Sequence, residues 1–194
     1  MITGGLLALG PLLFATLQDP SWLRAWAGLP ETLPSVSTFL HNLLHVPTDL
    51  FLRAQAFPAM RLGKLPLLSL AETMFTLLGI YAYGLTHKLD RTRLLAVILI
   101  GSWLLIGLGG PVTSTILLPF VYLLIAAGLG YLLRQWFIIF PRNPLARTLA
   151  TSLLSVLVFL VAAYHLTQYF IAWPNAPATN AAYTAQPVSG TIRK

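Results

Sequence analysis

The chain has 194 residues, 57% of them hydrophobic and only 9% charged, with a mean hydropathy of +0.77. A soluble domain carries charge on about a quarter of its residues, so this composition excludes an ordinary water-solvated surface and places the chain in lipid, where each charge is destabilising. The net charge of +7 falls mostly at the ends of apolar runs, which argues for helix anchoring and against nucleic acid as a partner, and the absence of cysteine excludes disulfides and thiolate metal sites.

Five apolar stretches predict spanning helices and hence an all-α, polytopic transmembrane bundle over residues 1–173. The first, residues 2–17, contains Pro11 and has neither a basic leader nor a small-x-small cleavage site, so an uncleaved helix is expected rather than a signal peptide. Its abrupt start also raises the expectation of a piece cut from a longer protein. Residues 18–64 are expected on the outer face, with Trp22 and Trp26 leading into amphipathic helices in the interface plane.

Within 35–53, Val36, Phe39, Leu40, Leu43 and Leu44 share one helical face, with His41, Asn42 and His45 opposite. Pro47 is expected to end that helix and start a second short one through Leu50 and Phe51. His41 and His45 stand four apart, with Asp49 at the same interval, which is a metal-ligand spacing. A polar face turned to water explains them equally, and without a second ligand cluster neither a metal nor a cofactor is assigned. Arg61 and Lys64 follow, just before the second span. A cation pair there either holds the phosphate of a lipid carrier or anchors the helix among head groups.

The second span, residues 67–85, holds Glu72, the one acid inside an apolar run. An intramembrane carboxylate is a functional candidate by default. The alternative, which is favoured, is a capping box in which Ser69 caps the helix and Glu72 reaches back to it. After the third span, residues 94–108, Gly107, Gly109, Gly110 and Pro111 predict a tight turn. Thr113, Ser114 and Thr115 then open the fourth span, residues 112–133, either as a lipid-phosphate site or as ordinary caps.

Within the fourth span, Gly128 and Gly130 are expected to let helices approach closely. The string from Phe140 to Arg147 reads as a stop, a turn and a restart, with Asn143 capping and Pro144 at the first helical position. In the fifth span, residues 149–173, Tyr164 and His165 either line a polar cavity or, in the reading favoured, Tyr164 forms an aromatic belt with Tyr169 and Trp173. Residues 174–194 predict a flexible polar tail.

Loops 86–93 and 134–148 carry Lys88, Arg91, Arg93, Arg134, Arg142 and Arg147 against Asp90 alone. The positive-inside bias therefore puts them and the N-terminus on the cytoplasmic side of a cell membrane, with 18–64 and the tail outside.

The order of one span, a long outer segment with interfacial helices and then tightly connected spans resembles the C-terminal membrane half of bacterial GT-C glycosyltransferases of the protein-mannosyltransferase type. The run from Leu117 to Gly130 and the turn around Arg142 and Arg147 carry the likeness, which covers most of residues 1–173. It implies a polyprenyl-phosphate-linked sugar donor, an acceptor on the outer face and inverting transfer. The family's catalytic Asp belongs to an N-terminal half with no counterpart here, and none of Asp19, Asp49 or Asp90 matches it. Where the family tends to place a basic residue at the outer start of the fourth span, this chain has Thr113 and Ser114. The expected function is thus the membrane-embedded part of such an enzyme, in contact with membrane lipids and the polyprenyl-phosphate carrier. The alternatives are a non-catalytic scaffold or anchor for a partner membrane protein and, less favoured, a small transporter using Glu72 and His165.

Overall fold

The computed structural model describes residues 27–30, 32–53, 62–110 and 112–184. The fold is all-α, as composition and periodicity require, and no strand occurs among the described residues. The helices are α1 (Val36–Phe51), α2 (Leu70–Gly84), α3 (Asp90–Gly107), α4 (Leu118–Ile139), α5 (Pro144–Thr167) and α6 (Pro177–Thr184). A 3-10 turn, Ser114–Leu117, leads into α4, and a π turn, Gln168–Ala172, extends α5. The chain divides into two compact units, residues 1–47 with 88–120 and residues 48–87 with 121–194.

In the first unit α1 meets α3. Contrary to the expectation from Pro47, α1 is one helix that runs through the proline to Phe51. Proline has no N–H to give the carbonyl four residues back, which is that of Leu43. Trp103 of α3 supplies the missing donor: its indole Nε1 lies 2.9 Å from the Leu43 carbonyl oxygen. The orphaned acceptor is satisfied from outside, and the helix continues. One turn further along α3, the Gly107 carbonyl accepts from Asn42 Nδ2 at 3.1 Å. A Cβ on Gly107 would fall 2.7 Å from the Leu43 side chain, so any larger residue would require that side chain to shift. Gly109, at φ +72°, takes the left-handed conformation that closes the helix end.

In the second unit the capping box is present: Ser69 Oγ accepts from the Glu72 N–H at 3.4 Å and Glu72 Oε2 accepts from the Ser69 N–H at 2.7 Å. Helices α2 and α4 touch backbone to backbone. A Cβ on Gly79 would fall onto the Leu124 carbonyl, and one on Gly128 onto the Phe75 carbonyl. Gly130 has open space around it, so of the two glycines expected to permit packing only Gly128 does so. The turn from α4 to α5 has its expected form, with Asn143 Oδ1 accepting from the Ala146 N–H at 3.1 Å and Pro144 opening the helix. Trp136 Nε1 donates to the Ala146 carbonyl at 2.9 Å and Arg147 lies over the Phe137 ring, so both strands of the turn are tied.

Two helices are long and apolar enough to cross a membrane, Ser114–Ile139 with 26 residues and Pro144–Ala172 with 29. The core helix of a soluble protein passes the same test but is mostly buried; here 28% and 6% of the respective apolar windows are buried. These faces are compatible with membrane association. Of the other expected spans, α2 has 15 residues, about 22 Å at 1.5 Å per residue, and α3 begins with Asp90, Arg91 and Arg93. The first expected span lies outside the described residues. Within the expected tail, 177–184 form α6, with Thr179 buried and the Tyr183 ring edge-on to Trp173; residues 185–194 lie outside the described residues.

A candidate carboxylate–imidazole site at the head of an apolar groove

Glu72 is 3% exposed, and three elements of the second unit supply its hydrogen bonds. Its position follows from the cap, which fixes the side chain against the first turn of α2. Oε2 accepts from the Ser69 N–H at 2.7 Å and Oε1 from the Tyr122 hydroxyl on α4 at 3.1 Å. His165, in the last turn of α5, places Nε2 3.0 Å from Oε1 and 2.9 Å from Oε2. A ring nitrogen at those distances from both carboxylate oxygens is a donor, so Nε2 carries the proton. The buried carboxylate is thus fully satisfied, which removes the large cost of leaving a charge unpaired in an apolar surround.

The same contacts fix helix direction. Glu72 and Tyr122 lie near the starts of α2 and α4 and His165 near the end of α5, so α2 and α4 run together and α5 runs against them.

Below this polar cluster a cavity of about 460 Å³ opens between the three helices. Phe75 of α2 and Ile125 and Leu129 of α4 form one wall. Leu157, Val158, Val161, Ala162 and Leu166 of α5 form the other. Among the described residues, only Glu72, Tyr122 and His165 bring polar side-chain groups to it, and all three sit at one end. The volume is that of a small-molecule site, with the usual plan of apolar walls and a few placed polar groups.

The sequence singled out Glu72 as a cap and His165 as a candidate to line a polar cavity, and named the two together only for the less favoured transporter reading. Glu72 is both a cap and the partner of His165. Tyr122 carried no sequence signal of its own. An acid inside an apolar run does imply donors at the same depth on neighbouring helices, and alternating helix directions put the start of the fourth run and the end of the fifth at that depth. That argument finds both partners. Tyr164 and Tyr169 remain exposed, with Tyr169 stacked on Trp173.

The candidate phosphate residues are placed differently. Arg61 lies outside the described residues. Lys64 is exposed in the turn that precedes α2. Thr113 is exposed and its Oγ1 is hydrogen-bonded to that of Thr115 at 2.6 Å, while Ser114 is 5% exposed and engaged within the fold. Thr113 is the N-cap of the 3-10 turn but makes no side-chain cap hydrogen bond. Lys64 belongs to the second unit and Thr113 and Ser114 to the first. His41 and His45 do lie on one face, Nε2 to Nε2 at 3.1 Å, yet among the described residues no group of three or more metal-ligating side chains converges.

No protein-family model, curated protein or solved structure matches the chain. The likeness to GT-C enzymes therefore rests on the sequence strings alone.

Proposed function

We propose that this chain is a multi-pass membrane protein that holds a lipid substrate in the groove of its second unit. In this reading it is the membrane-embedded part of a glycosyltransferase using a polyprenyl-phosphate-linked sugar. The observation that carries the reading is the groove itself: an apolar slot flanked by the two candidate spans, with the hydrogen-bonding groups of the described residues at one end. Its walls follow about 10–12 Å of helix, from Tyr122 to Leu129 and from Leu157 to His165. Such a slot suits a hydrocarbon chain entering from lipid. No acid in the chain matches the family's catalytic residue, so the proposed role is to hold and present substrate.

The reading includes five spans, a cytoplasmic N-terminus and an outer segment at 18–64. Backbone contact along α2 and α4 supports α2 as a third span beside the two longer ones. Lys64, and Arg61 with it, would meet the phosphate of the carrier at the outer surface, where each basic residue contributes about 1 kcal/mol. A polyprenyl phosphate with a photoreactive group at its tail tests the groove. Crosslinks should map to Leu129 and Leu157, and Val161→Trp should abolish them. Crosslinks spread over the outer faces of α5 and indifferent to Val161→Trp would remove the assignment.

One observation favours a second reading. The apolar window of α5 is only 6% buried, leaving most of that helix available to a partner span. A scaffold subunit would show specific co-purification that α5 surface changes such as Phe159→Ser abolish, with no lipid crosslink in the groove.

A further inference from the structure

We infer that the turn joining α4 to α5 is a binding site for an anionic phospholipid, with Arg142 and Arg147 on its phosphate and the flanking apolar residues against its acyl chains. This rests on the reading of α4 and α5 as membrane spans, and the site lies apart from the groove's polar end. About 25 Å of helix separates Tyr122 from Ile139 along α4, close to the roughly 30 Å of a hydrocarbon core. The Glu72 cluster and the turn thus stand near opposite surfaces of the bilayer, and a lipid at the turn belongs to the leaflet opposite the cluster.

The turn carries charge that the chain does not balance. Arg134 in the last turns of α4, Arg142 in the loop and Arg147 in the first turn of α5 are all exposed. From residue 121 to the end the sequence contains no acid. The second unit's two acids lie elsewhere: Glu72 in the first turn of α2, and Asp49 where its carbonyl accepts from the Leu67 N–H ahead of that helix. Among the described residues the three arginines make no ion pair. Cations at the end of a membrane helix without partners of their own call for an anion from outside the chain.

One of these cations is held in place. Trp136 Nε1 donates to the Ala146 carbonyl at 2.9 Å, which ties the end of α4 to the start of α5. On that tied turn the Arg147 guanidinium carbon lies 4.6 Å from the centre of the Phe137 ring. No hydrogen bond engages the Arg147 guanidinium among the described residues, so an ordered cation keeps its donors for a ligand. The planar fork of an arginine matches two phosphate oxygens at once. Beside it Ile138, Ile139 and Leu145 are exposed, an apolar bed next to the charge. A soluble phosphate would leave that surface uncovered, and a zwitterionic head would bring its own ammonium against the arginines. An anionic phospholipid meets both features.

The test is native mass spectrometry of the full chain released from nanodiscs that contain phosphatidylglycerol and phosphatidylcholine in equal amounts. Phosphatidylglycerol should be retained about twentyfold over phosphatidylcholine, and Arg142→Gln or Arg147→Gln should each lower that ratio about fivefold, which corresponds to about 1 kcal/mol per basic residue. Arg147→Lys keeps the charge but loses the fork, and it should lower the ratio as well. Arg91→Gln, in the first unit, should leave it unchanged. No preference in the unaltered chain overturns the site. So does a ratio that falls as far with Arg91→Gln as with Arg147→Gln, which would mean diffuse charge. Should the arginine variants fail to fold, competition in the unaltered chain decides: bound lipid lost to millimolar inorganic phosphate, but not to chloride at equal ionic strength, overturns the lipid in favour of a soluble anion. Val161→Trp, which fills the groove, should keep the preference; its loss there would place the retained lipid in the groove and overturn the site at the turn. A preference that holds while the groove crosslink fails removes only the groove reading. A chain that enters no nanodisc removes the membrane reading on which both rest.

Discussion

Glu72 serves one helix as a cap and three elements as a common acceptor, and the two roles respond differently to substitution. Glu72→Ala would leave the Ser69 N–H, the Tyr122 hydroxyl and the His165 Nε2 proton without their acceptor. Losses of about 1 kcal/mol apiece, the scale for interhelical hydrogen bonds in membranes, predict destabilisation of about 3 kcal/mol in a denaturant titration in micelles. Tyr122→Phe removes one of those bonds and should cost about 1 kcal/mol, a contrast that separates the cross-helix role from the cap. The cap was legible in the sequence because its two residues are three positions apart and their geometry is local. The remaining partners were not, because Tyr122 and His165 lie 50 and 93 positions away and reach Glu72 only through the packing of three helices. Nothing about a tyrosine among leucines marks it as a donor to an acid on another helix. The pairing becomes predictable only when the carboxylate is treated as a demand that neighbouring helices must meet.

At the level of helices, small residues matter where another backbone lies against them and nowhere else. Gly79→Leu and Gly128→Leu should each part α2 from α4 and lower stability by several kcal/mol, since a carbonyl occupies the space a side chain would need. Gly130→Ala should instead stabilise α4 by up to about 1 kcal/mol, because its surroundings are empty and glycine is a poor helix former. Thermal unfolding of the three variants side by side checks the contrast. The sequence offered Gly128 and Gly130 as equivalents; which one faces a neighbour depends on helix rotation, which a run apolar on every side does not encode. Helix boundaries were more legible, because caps and breakers are local: Asn143–Pro144 and Ser69–Glu72 both open helices as their residue types require. Pro47 misled because its rule concerns a single helix. The lost bond was replaced from α3, so Trp103→Phe should cost about 1–2 kcal/mol in the natural chain. In a Pro47→Ala background, where the backbone N–H is restored, it should cost distinctly less, and a double-mutant cycle reads the difference.

For the whole molecule, the membrane reading rests on apolar surface that the chain does not cover for itself. Leu145 and Phe159 on α5 are 80% and 71% exposed, apolar surface of the kind that lipid or another apolar partner would cover. The sequence contains no cysteine, so single cysteines placed one at a time can report sidedness without background. Cysteines replacing Lys88 and Arg142 should react with a membrane-impermeant maleimide only after permeabilisation, and one replacing Asn175 should react in intact cells. The opposite pattern would invert the orientation, and labelling of all three in intact cells would sink the five-span arrangement. The substitution of an indole for a backbone donor also carries a consequence in time. The Leu43 carbonyl and Trp103 are 60 residues apart, so during synthesis the middle of α1 emerges well before its substitute donor exists. Until then water must serve that carbonyl, which holds the nascent α1 at a wet surface and makes its final ladder contingent on the arrival of a later helix.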